Sequence, residues 1–540
     1  MSTTTTSTHS GGPRIRGLHW TGALSIAALT LSSCGGGGAA TADDSGPERV
    51  FVAPTGTTNM LNPQFIQSPA VTLVGQSMLE PLVRITDDYE VVPWLARDWS
   101  ISADGLEVTL HLEEGITWHD GEPFTAEDVK FNIDELFALD TLGAEFIDVI
   151  AEVDAVDDHT VHLTMHEPYG ALLEALALQY ILPKHIYEGT EYLQNPANME
   201  PVGTGPFIFD LHEDGDRIEV VRNEDYWKGD VQVDRVIFTN TTDANARDMA
   251  LLAGDIDRVG SFGRTRLNEI ENQPTLQTTI RGNLPQQVMF NFNADREELS
   301  DPAVRQLIYA AIDKEVLTET ALPGTSHLPH SVFPPAMDWA SHPDVDLLEL
   351  FPRDVDAINT ALDEAGYPRQ DDGYRFTLDI FYLSVLADAH NAAEVMQSSL
   401  DDVGIRLNLQ GYDPNVYTDL VYHQRDFDLA IQITTASSDP SLGLALWYTC
   451  NEENIAARNP SGVCDEALDT AAREALLSFD EQERAAHLHA FEERAAEIMI
   501  SAPLAHLDQV TVYNTARWQG HDFADGLVGG DWLDVVPTDN

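Results

Sequence analysis

A change in the pattern of predicted secondary structure divides the chain near residue 283. Before it, alternating apolar and polar residues joined by turns predict β-hairpins, as around the "ADG" turn at 103–105. After it, strands such as "QQVMFNFN" at 286–293 alternate with helical segments such as "DPAVRQLIYAAIDKEVL" at 301–317. Because alternation of strands and helices is typical of α/β architecture, we expect an α/β lobe to begin at about residue 283.

The chain is long enough for two or three domains, and its charge is strongly acidic. Its 540 residues include 29 Lys and Arg against 90 Asp and Glu, which gives a formal net charge of −61. The acidic residues are scattered rather than gathered into a tail, so they predict a solvated, salt-tolerant surface. Such a surface repels nucleic acid and anionic headgroups, which argues against a nucleic-acid-binding role.

The first 47 residues have the features of an export signal followed by a tether. Arg14 and Arg16 precede the apolar stretch "LHWTGALSIAALTL" at 18–31, and small residues follow, so we predict a secretory signal peptide at 1–33. The sequence "LSSC" at its end resembles a bacterial lipobox, which implies a lipidated Cys34 and a flexible tether at 34–47. An ordinary cleaved signal with a chance cysteine is the alternative. No later stretch is apolar enough to predict a transmembrane helix.

Two further cysteines, Cys450 and Cys464, bracket a loop rich in Asn, Pro, Ser and Gly. In an oxidising compartment such a pair predicts a disulfide. The alternative, half of a metal site, lacks a nearby partner with ligand spacing.

Sequence signatures of catalysis are missing. The chain has no G-x-S-x-G or H-E-x-x-H motif, and "WHD" at 118–120 is interpreted as a packed Trp beside a turn. His487 and His489 are two residues apart on a predicted helix, so their side chains point in different directions and do not predict a shared metal. We therefore predict neither an enzyme, nor a metal site, nor a cofactor.

Six segments, in order along the chain, carry a resemblance to a known family. They are "PWLARDWSISADGLEVTLHLEEGITWHDGEPFTAEDVKF" at 93–131, "GTGPF" at 203–207, "RNEDYWKGDVQVDRVIF" at 222–238, "MALLAGDID" at 249–257, "FNFNADREELSDPAVRQLIYAAIDKEVL" at 290–317 and "ALDEAGYP" at 361–368. These segments resemble consecutive landmarks of the family 5 extracellular solute-binding proteins, the peptide, nickel and opine receptors of ABC importers. The resemblance covers about residues 50–515.

The resemblance implies an α/β, two-lobed periplasmic-binding-protein fold (type II, cluster C-like) with an extra subdomain in lobe I. Lobe I would comprise 48–80, 202–282 and 500–540, with the subdomain at 81–201 and lobe II at 283–499. Two hinge strands would join the lobes, and ligand would bind in the cleft between them. The implied function is a monomeric, membrane-anchored receptor that delivers its ligand to ABC permease subunits; a secreted hydrolase or an adhesion module is a remote alternative.

The resemblance also bears on the ligand. In the family's peptide receptors, a lobe II aspartate three residues before an acidic-Pro pair binds the α-amino group. The matching pair here is Asp439-Pro440, and the position three residues before it holds Ala436. Asp439 is either a substitute anchor or an ordinary loop residue. We therefore expect longer or modified peptides held by main-chain hydrogen bonds, with oligosaccharides as the alternative; nickel fits less well, because no His is obviously placed beside Asp439.

Candidate ligand contacts follow from the loop after the first strand, from the Asp439 loop and from lobe II aromatic residues suited to sugar rings. They are Thr57, Thr58, Asn59, Tyr412, Tyr417, Ala436, Asp439, Trp447 and Tyr448. For the aromatic residues, core packing is the alternative interpretation.

The stretch "GTGPF" at 203–207 could suggest a phosphate-binding loop. Pro206 removes a donor, and a strand pattern follows instead of a helix, so we interpret the stretch as architectural. Gly203 and Gly205 are predicted to let the chain turn sharply out of the subdomain.

Overall fold

The computed structural model describes most of the chain after the predicted tether. The described residues are 48–520 and 531–538, except 57, 59, 67, 87–88, 141–142, 436 and 438; for 69, 145 and 282–285 only the backbone is described. The predicted signal peptide, the tether and Cys34 lie outside this part. Among the described residues, no helix combines the length and apolarity that crossing a bilayer requires.

The described residues form nineteen strands and fourteen α-helices. The strands are β1 (Val50–Thr55), β2 (Val83–Ile85), β3 (Val91–Pro93), β4 (Ala96–Ile101), β5 (Glu107–Leu112), β6 (Ile150–Asp157), β7 (Thr160–Met165), β8 (Phe207–Glu213), β9 (Arg217–Arg222), β10 (Arg235–Asn240), β11 (Arg258–Gly260), β12 (Leu276–Phe292), β13 (Ser326–His327), β14 (Phe376–Leu383), β15 (Ile405–Tyr412), β16 (Leu429–Thr435), β17 (Ser501–Asn514), β18 (Trp518–Gln519) and β19 (Val536–Pro537). The helices are α1 (Pro69–Gly75), α2 (Ala126–Phe131), α3 (Gly143–Ile147), α4 (Leu172–Leu176), α5 (Lys184–Tyr187), α6 (Ala244–Ala253), α7 (Pro302–Ala311), α8 (Lys314–Val316), α9 (Leu347–Leu350), α10 (Val355–Glu364), α11 (Ala387–Asp402), α12 (Pro414–Thr418), α13 (Glu466–Leu477) and α14 (Glu481–Ile498).

The first sheet is ordered β1–β10–β9–β8. In it β1 runs parallel to β10, and the other pairs are antiparallel. Its core includes the rings of Phe51 and Phe207. The end of the chain returns to this core, because the Trp532 ring centroid lies 5.3 Å from that of Phe51 and 4.9 Å from that of Phe207. This packing draws residues near both ends of the described chain into one hydrophobic cluster.

A separate antiparallel sheet, ordered β4–β5–β7–β6, lies within residues 81–201. The predicted hairpin at "ADG" is present between β4 and β5, and Gly105 in its turn has a φ of +69°, a conformation that favours glycine. Helix α2 begins at a capping box, where the Asp128 carboxylate accepts a hydrogen bond from the Thr125 N–H at 2.9 Å. Alternating side chains of these strands pack into a hydrophobic cluster that is separate from the cluster of the first sheet.

The third sheet is ordered β11–β17–β12–β16–β14–β15, with β13 added beside β17. Strands β14, β15 and β16 are parallel, whereas β12 and β17 are long and antiparallel. The sequence predicted a strand only from residue 286, but β12 begins at Leu276 and continues through a register shift between Arg281 and Gln286. A large hydrophobic cluster packs against this sheet, and its buried members lie between Val288 and Leu507 in the sequence. It includes residues of helices α7, α10, α11, α13 and α14.

The Glu80 carboxylate links the subdomain to the part of the chain around β8–β10 through hydrogen bonds. One carboxylate oxygen accepts hydrogen bonds from Trp94 Nε1 and the Tyr226 hydroxyl, each at 2.8 Å. The other accepts from the Thr204 hydroxyl at 2.8 Å and Trp227 Nε1 at 2.9 Å. A carboxylate that is 1% exposed is therefore satisfied by four donors from three segments of the chain.

The "GTGPF" stretch packs directly against the segment that carries Glu80. A Cβ at Gly203 would lie 1.8 Å from the Met78 carbonyl oxygen, and one at Gly205 would lie 2.7 Å from it. Neither glycine is among those with positive φ. Close approach of two backbones, rather than the sharp turn predicted from the sequence, is what requires glycine here.

We expect Glu80→Gln to destabilise the protein by about 2–4 kcal/mol, because the amide nitrogen would face two buried donors and leave them unpaired. Urea unfolding followed by tryptophan fluorescence measures the change. Glu152→Gln, at an exposed position of β6, is the matched control. Equal stability of the two variants would contradict the role assigned to Glu80.

Candidate ligand cleft

The carboxyl ends of parallel strands mark two edges where a ligand can bind. In the first sheet, β1 and β10 end at Thr55 and Asn240. In the third sheet, β14, β15 and β16 end at Leu383, Tyr412 and Thr435. Because ligands of open α/β sheets bind outside the carboxyl ends of the strands, these two edges define the candidate cleft.

The first edge carries the predicted contacts that follow β1. Thr57 and Asn59 lie outside the described residues, while Thr58 is 7% exposed. Thr58 lines a small pocket with Thr55 and residues of the β8–β9 hairpin, including Arg217. The structure therefore places hydroxyl groups at this edge of the sheet.

The predicted aromatic contacts of lobe II separate into two groups. Tyr412, at the end of β15, is half-buried, and its ring centroid lies 4.9 Å from that of Phe381. Tyr417 is buried and donates a hydrogen bond to a carbonyl oxygen of β16 at 3.1 Å. Trp447 and Tyr448 are also buried within the hydrophobic cluster of this lobe. Of the four, only Tyr412 offers part of its ring to solvent in this conformation.

Asp439 is buried and satisfied by partners within the protein. Its carboxylate accepts a hydrogen bond from the Ser441 N–H at 2.8 Å and forms an ion pair with Arg484. Beside it, the Ser437 hydroxyl is buried without a hydrogen-bond partner among the described residues. Ala436, the position of the expected amine anchor, lies outside the described residues. The negative charge of Asp439 is thus already compensated before any ligand binds.

Glu174, on α4 of the subdomain, faces this pair. Burial, with a smaller contribution from the charge of Asp439, raises the pKa of the Glu174 carboxyl to about 7, and Arg484 opposes the shift. The carboxyl therefore takes up a proton near neutral pH, which relieves the repulsion from Asp439. These three side chains form an ionisable cluster between the subdomain and lobe II.

Sequence reasoning missed Glu174, Arg484 and Ser437. Glu174 and Arg484 are 310 positions apart, so no local spacing could pair them. Arg484 also lies in a charge-rich helix, so its residue type alone does not predict that it is buried. Ser437 could have been identified from the sequence, because it directly follows Ala436.

Cys450 and Cys464 are joined by a disulfide, with their Cα atoms 4.4 Å apart. Among the described residues, the one group of three side chains close enough to hold a metal ion consists of these cysteines and Glu452. Because both sulfurs are engaged in the disulfide, the group lacks the thiolates that a metal would need.

Comparison with known proteins identifies the family. The profile described as "Bacterial extracellular solute-binding proteins, family 5 Middle" matches residues 90–454. The chain belongs to this family. It is therefore a substrate-binding protein of an ABC importer, and not an enzyme.

Among its relatives, Di/tripeptide-binding protein 1 of Pseudomonas aeruginosa is 26% identical over 465 residues, covering 80% of this chain and 83% of the relative. The nickel-binding periplasmic protein of Escherichia coli is 25% identical over 489 residues, covering 86% and 90%. The structure of NikZ from Campylobacter jejuni in complex with Ni(L-His) matches with a TM-score of 0.78 at 22% identity, over 91% of this chain and 99% of NikZ. The fold is the two-lobed α/β fold of periplasmic binding proteins.

We expect Glu174→Gln to stabilise the protein at pH 8 and to have less effect at pH 5. A carboxyl with a raised pKa binds a proton more tightly in the folded state, so its ionisation destabilises that state as pH rises through about 7. The gain should be about 1–3 kcal/mol at pH 8. Urea unfolding at both pH values measures it.

Glu364→Gln, at an exposed position of α10, provides the control. A gain that is the same at pH 5 and pH 8 would show that ionisation of Glu174 is not its cause.

Proposed function

We propose that this family 5 protein is a lipid-anchored, monomeric receptor that captures peptides between its two lobes and delivers them to an ABC permease. In this proposal lobe I comprises 48–80, 202–282 and 500–540, with the subdomain at 81–201 and lobe II at 283–499. Strands β12 and β17 serve as the hinge. Similarity to a di/tripeptide-binding protein over 80% of the chain supports a peptide ligand.

An incompletely paired strand at the cleft edge carries the proposal. Strand β14 pairs with β16 only at Leu429 and Ala430, whereas β12 pairs with β16 as far as Thr435. From Ile431 to Thr435, β16 therefore has a strand partner on one side only, among the described residues. An extended peptide binds such an edge through main-chain hydrogen bonds, as in β-strand addition.

The environment of Asp439 indicates which peptides fit. Because Arg484 already compensates its charge, Asp439 is a poor anchor for a free α-amino group. We propose longer or N-terminally modified peptides, contacted by Thr57, Thr58, Asn59 and the segment around Ala436. An oligosaccharide has less support, because Tyr417, Trp447 and Tyr448 lie in the core rather than exposing their rings.

A matched peptide panel tests this proposal. For each sequence, one peptide carries a free N-terminus and the other an acetylated one, and calorimetry gives both dissociation constants. We expect the acetylated peptide to bind at least as tightly as the free one. Binding of glycans but of no peptide in the panel would contradict the proposal.

A variant of Ala436 provides a second test in the same peptide-binding assay. Ala436→Asp should shift the preference toward the free N-terminus by about ten-fold, since a new carboxylate then meets the ammonium group. Ser438→Asp adds the same charge two residues away and is the control.

Membrane anchoring has its own test in the native host. Cys34→Ser removes the acceptor of the lipid, so we expect the protein to move from the membrane fraction to the soluble exported fraction. Fractionation followed by immunoblotting measures the distribution. Retention of the variant on the membrane would show that Cys34 is not the anchor.

A further inference from the structure

The subdomain touches lobe II at a place separate from the hinge strands. The backbone N–H of Gly170 donates a hydrogen bond to the Leu476 carbonyl oxygen at 2.6 Å. A Cβ at Gly170 would lie 1.8 Å from the carbonyl oxygen of Ser478. The loop after β7 and the end of α13 can therefore meet this closely only because residue 170 is glycine.

An ion pair lies next to this backbone contact. A guanidinium nitrogen of Arg473, on α13, lies 2.6 Å from a carboxylate oxygen of Glu167, on the loop after β7. The side chains are 63% and 34% exposed, so the pair is accessible to solvent and salt. Its two members are 306 positions apart and belong to opposite sides of the proposed hinge.

Apolar side chains extend the contact toward the cleft. Leu442, seven residues after the end of β16, belongs to the hydrophobic cluster of the subdomain, and Leu476 packs against that cluster. The ring of Phe479 lies 2.2 Å from the position that a Cβ of Gly105 would occupy. Tyr89, at the β2–β3 turn, packs against the clusters of both the subdomain and lobe II.

A second contact between the lobes lies beside the hinge. Arg264 donates hydrogen bonds to the carbonyl oxygens of Asp508, in β17, at 2.7 Å and of Thr325 at 3.2 Å. It also forms an ion pair with Asp388, on α11, at 3.4 Å. Rotation about β12 and β17 displaces groups near those strands little and distant groups more. Opening therefore strains the subdomain contact more than the Arg264 contact.

We propose that residues 167–170 of the subdomain and 473–479 of lobe II form a latch that holds the protein closed and must separate when the ligand cleft opens. The latch rests on the proposed function in one respect, namely that the lobes open and close about β12 and β17. It assigns the subdomain an active part in closure, because the subdomain carries one half of the contact.

Hydrogen exchange at the Gly170 amide tests the latch, because this amide is protected by a carbonyl across the contact. We expect Arg473→Glu, which turns the ion pair into a repulsion, to increase exchange at Gly170 by about three- to ten-fold. Exchange of the β7 amides should stay unchanged, since the subdomain itself remains folded. Amide-resolved mass spectrometry of the full exported chain measures both.

The reversed pair Glu167→Arg/Arg473→Glu should restore the protection of Gly170. Arg406→Glu is the control, because it reverses an exposed ion pair with Asp372 that lies wholly within lobe II. Unchanged exchange at Gly170 in Arg473→Glu, or failure of the reversed pair to restore protection, overturns the proposal. No ligand is added, so these outcomes are independent of the peptide assays.

Gly170→Ala is a second variant that acts sterically rather than through charge. Its methyl group meets the Ser478 carbonyl, so we expect a larger radius of gyration by small-angle X-ray scattering. Retained protection of the β7 amides shows that the subdomain is intact. An unchanged radius of gyration in this folded variant counts against the latch.

Discussion

In the proposed function, ligand capture depends on the antiparallel pairing of β12 and β17, the long strands that would join the two lobes. At the crossing, buried Gln287 donates a hydrogen bond to the Val332 carbonyl at 2.8 Å and contacts His506 Nδ1 at 3.2 Å. Burial lowers the pKa of His506 to about 4, so its ring stays neutral at physiological pH. The ladder between β12 and β17 is irregular between Arg281 and Gln286, and in the proposed hinge motion we expect bending there.

In the proposed hinge motion the subdomain moves with lobe I, because the hydrogen bonds of Glu80 join the two. The four donors to this carboxylate include Trp94 from the subdomain and Tyr226 and Trp227 from the segment between β9 and β10. Breaking the hydrogen bonds of this buried carboxylate would leave several polar groups unpaired. A hinge motion offers those groups no new partners. A contact between the subdomain and lobe II is therefore a contact between moving bodies, whereas the Glu80 contact is internal to one of them.

Local signals in the sequence predicted local structure well. The turn at Gly105 and the helix that begins after Asp301 both follow from residues within a few positions of one another. The family, and with it the two-lobed fold, also followed from segments in order. The ion pair of Asp439 with Arg484 could not be predicted, because partners that are far apart in the chain form no local sequence pattern. Close backbone approach, the reason for glycine at 203 and 205, is equally invisible before folding.

The acidity of the chain limits what its sequence predicts about carboxylate ligand groups, and Asp439 was named only because of the family resemblance. With 90 Asp and Glu residues, an acidic side chain carries little information by itself, and burial decides its role. Asp439 and Glu492, both deeply buried, are held by internal donors: Arg484 and Ser441 for the first, Val332 and His342 for the second. A buried charge must be compensated within the fold, so it is unavailable to a ligand. In the proposed peptide complex, recognition at this rim of the cleft falls to neutral groups, namely the main chain of β16 and the hydroxyls beside it. These groups suit an extended peptide chain better than a charged terminus.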